Sequence, residues 1–224
     1  MDRGERVTLI GVDYSTGPLT AAQCRAHGIA FVCRYVSNGA TGWNRSKTAK
    51  QAEVDDFRAN GIGIVIVYEG DINDALGGYA QGVTNARLAD QQVRALGLTG
   101  CPIYLAVDFD AVPAQLPLVA AYLDGAASVL GLPRTGGYGS HRTVTHLFNG
   151  GHITYGWAAD AWGGQLDPRA HLTQRGGGTV DGVSVDWDYT VSSDTDYGQH
   201  RGGSPVVAQQ VGILEWIARN VRTP

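Results

Sequence analysis

Short β-branched runs alternate with helical stretches along most of this chain, and four of those runs end in acid. They are Leu9–Asp13 (LIGVD), Ile64–Glu69 (IVIVYE), Ile103–Asp110 (IYLAVDFD) and Val183–Asp188 (VSVDWD). Apolar runs of this length read as buried parallel strands. In a parallel barrel every strand ends on one face, where chemistry is done. Acids far apart in the sequence then meet in a single cleft, which points to carbohydrate cleavage by carboxylates.

The expected fold class is α/β, a (β/α)8 TIM-type barrel with some helices missing between the last strands. Eight strands are read at about 8–13, 30–35, 63–68, 102–107, 135–138, 153–157, 170–174 and 182–188. Helices are expected near 20–27, 46–60, 79–96, 113–130 and 141–148, with Thr20 as an N-cap and Gly28, Gly61, Gly97 and Gly131 as stops. The segments between the last three strands are short and glycine-rich. The expected organisation is a barrel over 1–190, a loop or linker over 191–205, and a C-terminal helix over 206–224 packed on the barrel.

The length of 224 residues suits one such barrel. A formal net charge of −4 lacks the basic footprint of a nucleic-acid binder. No run has the apolar length of a membrane span, and Met1–Val7 lacks the apolar core of a signal peptide. Cys24, Cys33 and Cys101 fit neither a disulfide framework nor a zinc site and read as buried thiols; Cys24–Cys33 pairing stays open for an exported chain. The six histidines form no HxH or HExxH pattern, and no cofactor is expected.

Strand four carries the strongest candidates. Side chains alternate along a strand, so Tyr104, Ala106, Asp108 and Asp110 are expected to face the barrel mouth. Two neighbouring carboxylates repel, one pKa rises, and a raised carboxyl serves as a general acid. Asp186 and Asp188 repeat the spacing on strand eight, Asp13 ends strand one, and Glu69 or Asp71 ends strand three. Aromatic rings at the same ends (Tyr14, Tyr35, Tyr138 and Trp157 among them) suit stacking on sugar faces. Arg34 could orient a carboxylate or a substrate oxygen, and Gln174 could hold a sugar hydroxyl or amide.

These segments carry a resemblance. GVDYS (11–15), FVCRYV (31–36), YEGD (68–71), YLAVDFDA (104–111), GGYGS (136–140) and TQRGGGTVDGVSVDWDYT (173–190) resemble the glycoside-hydrolase-like domain of unknown function family 1906. That family is similar to the glycoside hydrolase family 25 lysozymes. The resemblance implies a barrel with missing helices and a substrate of peptidoglycan or a related N-acetylated glycan. It aligns Asp13 with the first-strand aspartate of the lysozymes, Asp108 and Asp110 with their Asp-x-Glu, Gln174 with a strand-seven glutamine, and Asp186 and Asp188 with their Asp-x-Asn. Asp110 is one methylene shorter than the glutamate it replaces, and Asp188 puts an acid in place of an amide.

The mechanism expected on this basis has Asp110 protonating the glycosidic oxygen. Asp108 and Asp13 or Asp186 stabilise the positive charge or orient the acetamido group, with Glu69 assisting. Two rivals are a barrel that holds wall glycan without cutting it and a metal-dependent phosphodiesterase using the acid cluster. A phage lysin held in the cytoplasm until release and a secreted protein with its signal removed both fit the chain.

Overall fold

The computed structural model describes residues 8–39, 47–191 and 196–200. Eight strands close into one barrel in sequence order: β1 (Ile10–Asp13), β2 (Phe31–Val36), β3 (Gly63–Tyr68), β4 (Ile103–Ala106), β5 (Thr135–Ser140), β6 (Tyr155–Ala159), β7 (Leu172–Val180) and β8 (Val183–Thr190). Among the described residues five α-helices lie between the first six strands: α1 (Ala21–Ala26), α2 (Gln51–Ala59), α3 (Gly78–Ala95), α4 (Leu116–Leu130) and α5 (His141–Gly150). Thr20 caps α1 in a capping box with Gln23, and Ser140 caps α5 by accepting from the Thr143 N–H at 3.3 Å. A three-residue 3₁₀ turn at Asp160–Trp162 is the helical piece between β6 and β7.

β1 through β7 pair in parallel, but β8 runs antiparallel to both β7 and β1. This corrects the expectation that the strand-eight acids sit at a C-terminal strand end. A two-residue turn, Asp181-Gly182, with φ of +47° and +83°, joins β7 to β8. Such a turn reverses the chain as a hairpin and leaves no room for a crossover. Asp186 therefore lies nearer the open mouth, level with Asp13, and Asp188 lies one layer deeper, level with Gly11.

Alternation sorts the strand residues into two cores. Inside the barrel are Phe31, Cys33, Val65, Val67, Tyr104, Tyr155, Trp157 and Leu172. Outside, under the helices, are Val12, Val32, Val36, Ile64, Ile66, Ile103, Leu105 and Val107. The split on β4 is the one expected from the sequence. Large rings fill the interior because glycines face them. A Cβ at Gly11 would lie 2.2 Å from the Phe31 ring, and one at Gly136 would lie 2.8 Å from Tyr104. Cys24 is in the outer core and Cys33 in the inner one, so the barrel wall separates them; all three thiols are buried and free.

Residues 196–200 close the end of the barrel opposite the mouth. The Tyr197 ring packs 4.8 Å from that of Phe31, the Tyr104 hydroxyl donates to the Tyr197 carbonyl at 2.8 Å, and the His200 N–H donates to the Ile64 carbonyl at 2.7 Å. The expected helix at 206–224 and most of the expected linker lie outside the described residues. Among the described residues no helix is long and apolar enough to cross a membrane.

Candidate active site

A cavity of about 250 Å³ opens at the mouth of the barrel. Its acidic members are Glu69 past β3, Asp108 past β4 and Asp186 on β8. Tyr35, Tyr138 and Trp157 supply aromatic surface, and Gln174, Ser15 and Lys47 supply polar groups. The ends of β3 and β4 and the fourth residue of β8 thus bring together acids separated by more than a hundred positions, as expected of a barrel mouth.

Asp13 lies just beneath, 2% exposed. One carboxylate oxygen accepts from the Tyr35 hydroxyl at 2.6 Å and the other from the Gln174 amide N–H at 2.7 Å. The Gln174 carbonyl oxygen in turn accepts from the Tyr138 hydroxyl at 2.9 Å. The amide is thereby oriented, with its donor on the acid and its acceptor on the phenol. Burial pushes the Asp13 pKa up to about 6, against the two hydrogen bonds that pull it down; Asp186 adds to the rise.

Asp188 is fully buried, and among the described residues neither of its oxygens meets a partner at hydrogen-bonding geometry. The Cys33 thiol and the Trp157 indole N–H are near enough to favour its anion weakly, but burial and the Asp13 charge hold its pKa well above the usual range. A neutral Asp188 carries an O–H and a carbonyl, much as an amide carries an N–H and a carbonyl. Burial and the Asp13 charge both favour that neutral form of Asp188.

The Lys47 ammonium reaches Glu69 at 2.5 Å and sits 5.1 Å from the centre of the Tyr35 ring. Burial holds the Glu69 carboxyl above its usual range, against the Lys47 hydrogen bond and charge that lower it, and the Asp108 charge adds to the rise. Asp108 is half-buried and accepts no hydrogen bond among the described residues; burial raises it and the Lys47 charge offsets part of the rise. Asp186 is raised by burial as well. The glycine run before the hairpin makes room for it, since a Cβ at Gly177 would come within 2.9 Å of the Asp186 carboxylate.

Three expected site residues lie elsewhere. β4 ends at Ala106, so alternation no longer directs Asp110 into the barrel. Asp110 is exposed, pairs with Arg142 at 3.5 Å and lines a separate groove with His146 and Trp162. Arg34 and Tyr14 point outward, because their neighbours Tyr35 and Asp13 point in. The Arg34 guanidinium stacks 3.9 Å over Tyr14, donates to Glu53 of α2 at 3.0 Å and donates to the Lys47 carbonyl at 3.2 Å. The Tyr14 hydroxyl also donates to Glu53. This buried network anchors α2 and the Lys47 backbone to the barrel wall.

Lys47 and Ser15 are the polar lining residues that sequence reasoning missed. Lys47 lies beyond a glycine-bearing loop, with no strand to reveal its direction. Its rarity was the available signal: the chain has only Lys47 and Lys50. Among the described residues no group of three or more His, Cys, Asp or Glu is arranged to hold a metal ion.

Residues 22–196 match the Rv2525c-like, glycoside hydrolase-like domain. The chain belongs to this family. The match to the Rv2525c-like domain runs from α1 through β8 to Asp196, and β1 precedes it. A relative from Mycobacterium tuberculosis, Rv2525c, carries the provisional name of peptidoglycan hydrolase; it is 35% identical over 173 residues, 73% of this chain and 72% of the relative. A crystal structure of Rv2525c, described as Tat-secreted and bound to L-tartrate, superposes with a TM-score of 0.79 at 32% identity, covering 87% of this chain and 99% of that one. The barrel also resembles that of a family 25 glycosyl hydrolase from Bacillus anthracis, with a TM-score of 0.55, 13% identity and 94% of each chain covered. Within the Rv2525c-like domain, that last likeness is one of fold.

Proposed function

We propose that the barrel hydrolyses glycosidic bonds of bacterial cell-wall peptidoglycan, with Asp108 as the proton donor. The observation that carries this is the composition of the mouth: Asp108 and Asp186 share one small cavity with Tyr35, Tyr138 and Trp157. Paired carboxyls beside aromatic faces are what glycoside cleavage needs. Asp108 protonates the glycosidic oxygen, the C–O bond breaks, and the leaving sugar departs with the proton. Asp186 faces the positive charge that develops on the ring, and Asp13 supports it from below through Tyr35 and Gln174. Water then adds at the anomeric carbon and its proton restores Asp108. Asp110 has no part in this scheme, because it lies in the neighbouring groove.

The provisional name of the mycobacterial relative supports peptidoglycan as the substrate, and its secretion supports action outside the cytoplasm. The test is release of new reducing ends from purified peptidoglycan. Asp108→Asn is expected to lower the rate by at least ~100-fold, and Asp110→Asn to stay within a few-fold of wild type. Equal release by wild type and Asp108→Asn would overturn the assignment. Glycan retained by wild type without any release would favour a binding barrel.

A further inference from the structure

We propose that Lys47 is a positioning residue that fixes Glu69 as the standing anion of the cavity and leaves Asp108 as the carboxyl that exchanges a proton. This inference deepens the glycosidase reading and rests on it for its catalytic consequence. Lys47 is 2% exposed, an unusual place for an ammonium. Its carbonyl accepts from Arg34 at 3.2 Å, and two residues further on the Ala49 N–H donates to the Tyr35 carbonyl at 2.8 Å. Its head group is held by Glu69 at 2.5 Å and by the face of Tyr35. A buried ion pair of this kind adds little stability over apolar packing, so its presence in a cavity wall points to function.

The asymmetry between the two acids is geometric. The Lys47 ammonium donates a hydrogen bond to Glu69 at 2.5 Å, whereas Asp108, on the wall of the same cavity, accepts none among the described residues. The other ionisable groups facing this cavity are Tyr35 from β2, Tyr138 from β5 and Asp186 from β8, with Asp13 and Asp188 beneath. β6 and β7 contribute Trp157 and Gln174, which do not titrate. Lys47 is thus the cation of the cavity among the described residues, and it is spent on one of two candidate acids.

The experiment is a carbon-detected NMR titration of the Glu69 and Asp108 side-chain carboxyls in wild type, Lys47→Met and Lys47→Arg. In wild type Glu69 should ionise at lower pH than Asp108. In Lys47→Met the Glu69 midpoint should rise by about one to three pH units, and Lys47→Arg should restore the wild-type order. The acidic limb of peptidoglycan cleavage should move with these midpoints. Asp108 ionising before Glu69 in wild type, or a Glu69 midpoint unmoved in Lys47→Met, overturns the proposal. Should Lys47→Met fail to fold, the wild-type order and Lys47→Arg decide alone. Wild-type protein that shows the expected order but cleaves no glycan would sink the glycosidase reading and leave the electrostatic role of Lys47 standing.

Discussion

A carboxyl group enclosed in a barrel with neither oxygen hydrogen-bonded is expensive to ionise. Asp188 is in that position, and its pKa is held high in the folded protein while it returns to about 3.8 on unfolding. Asp13, raised to about 6, behaves the same way to a smaller degree. A raised acid binds more protons folded than unfolded. Its contribution is therefore complete below about pH 3.8 and is lost as pH climbs through the folded pKa. Asp188→Asn cannot ionise, so we predict that thermal denaturation of this variant and of wild type diverges as pH rises above about 4. The variant should be the more stable at pH 8, and the gap should close near pH 4. A wild type that is equally stable, or more so, at pH 8 would contradict a neutral Asp188. At this scale much of the site is legible in the sequence. Parity along each strand identifies Tyr35, Tyr138, Trp157, Gln174 and Asp108 as inward. The same parity excludes Arg34 and Tyr14 once Tyr35 and Asp13 are placed inside, so those two are readable as well. Asp110 is not, because parity holds only while the strand lasts and β4 stops at Ala106.

Elements in this protein meet where side chains are missing. α3 and α4 cross on a pair of glycines: a Cβ at Gly82 would lie 1.9 Å from the Tyr122 carbonyl oxygen, and one at Gly125 would lie 2.1 Å from that of Tyr79. The obstacles are backbone atoms, which cannot rotate aside. Gly82→Ala should raise helix propensity in isolation, yet overpacking should dominate and destabilise the fold by about 1–3 kcal/mol. Urea denaturation of the variant checks this, and an unchanged or higher midpoint would show that the helices separate freely. The helices themselves are readable from caps and stops, Thr20 and Gly131 among them. The direction of β8 is harder. Its signal is the Asp181-Gly182 pair between two β-branched runs, a hairpin pattern. An expectation of regular βα alternation overrides it, and with it the relative depth of Asp186 and Asp188.

The described residues form a barrel with one open and one closed end. Tyr197 seals the closed end against Phe31 and beneath Tyr104, and a Cβ at Gly63 would meet its hydroxyl at 2.7 Å. Tyr197→Ala opens a cavity in the inner core, with an expected loss of about 3 kcal/mol, whereas Tyr197→Phe keeps the ring and should lose less than half of that. Equal midpoints for Tyr197→Ala and wild type in chemical denaturation would mean that the segment rests on the barrel without supporting it. With that end shut, the exposed chemistry is gathered at the mouth. The most direct test of a catalytic mouth is a crystal structure of the Asp108→Asn protein with a peptidoglycan oligosaccharide. The expected result is a sugar ring against Tyr138 and Trp157, with the scissile oxygen within hydrogen-bonding reach of residue 108. Sugar bound in the Asp110–Arg142 groove, with the mouth empty, would contradict it.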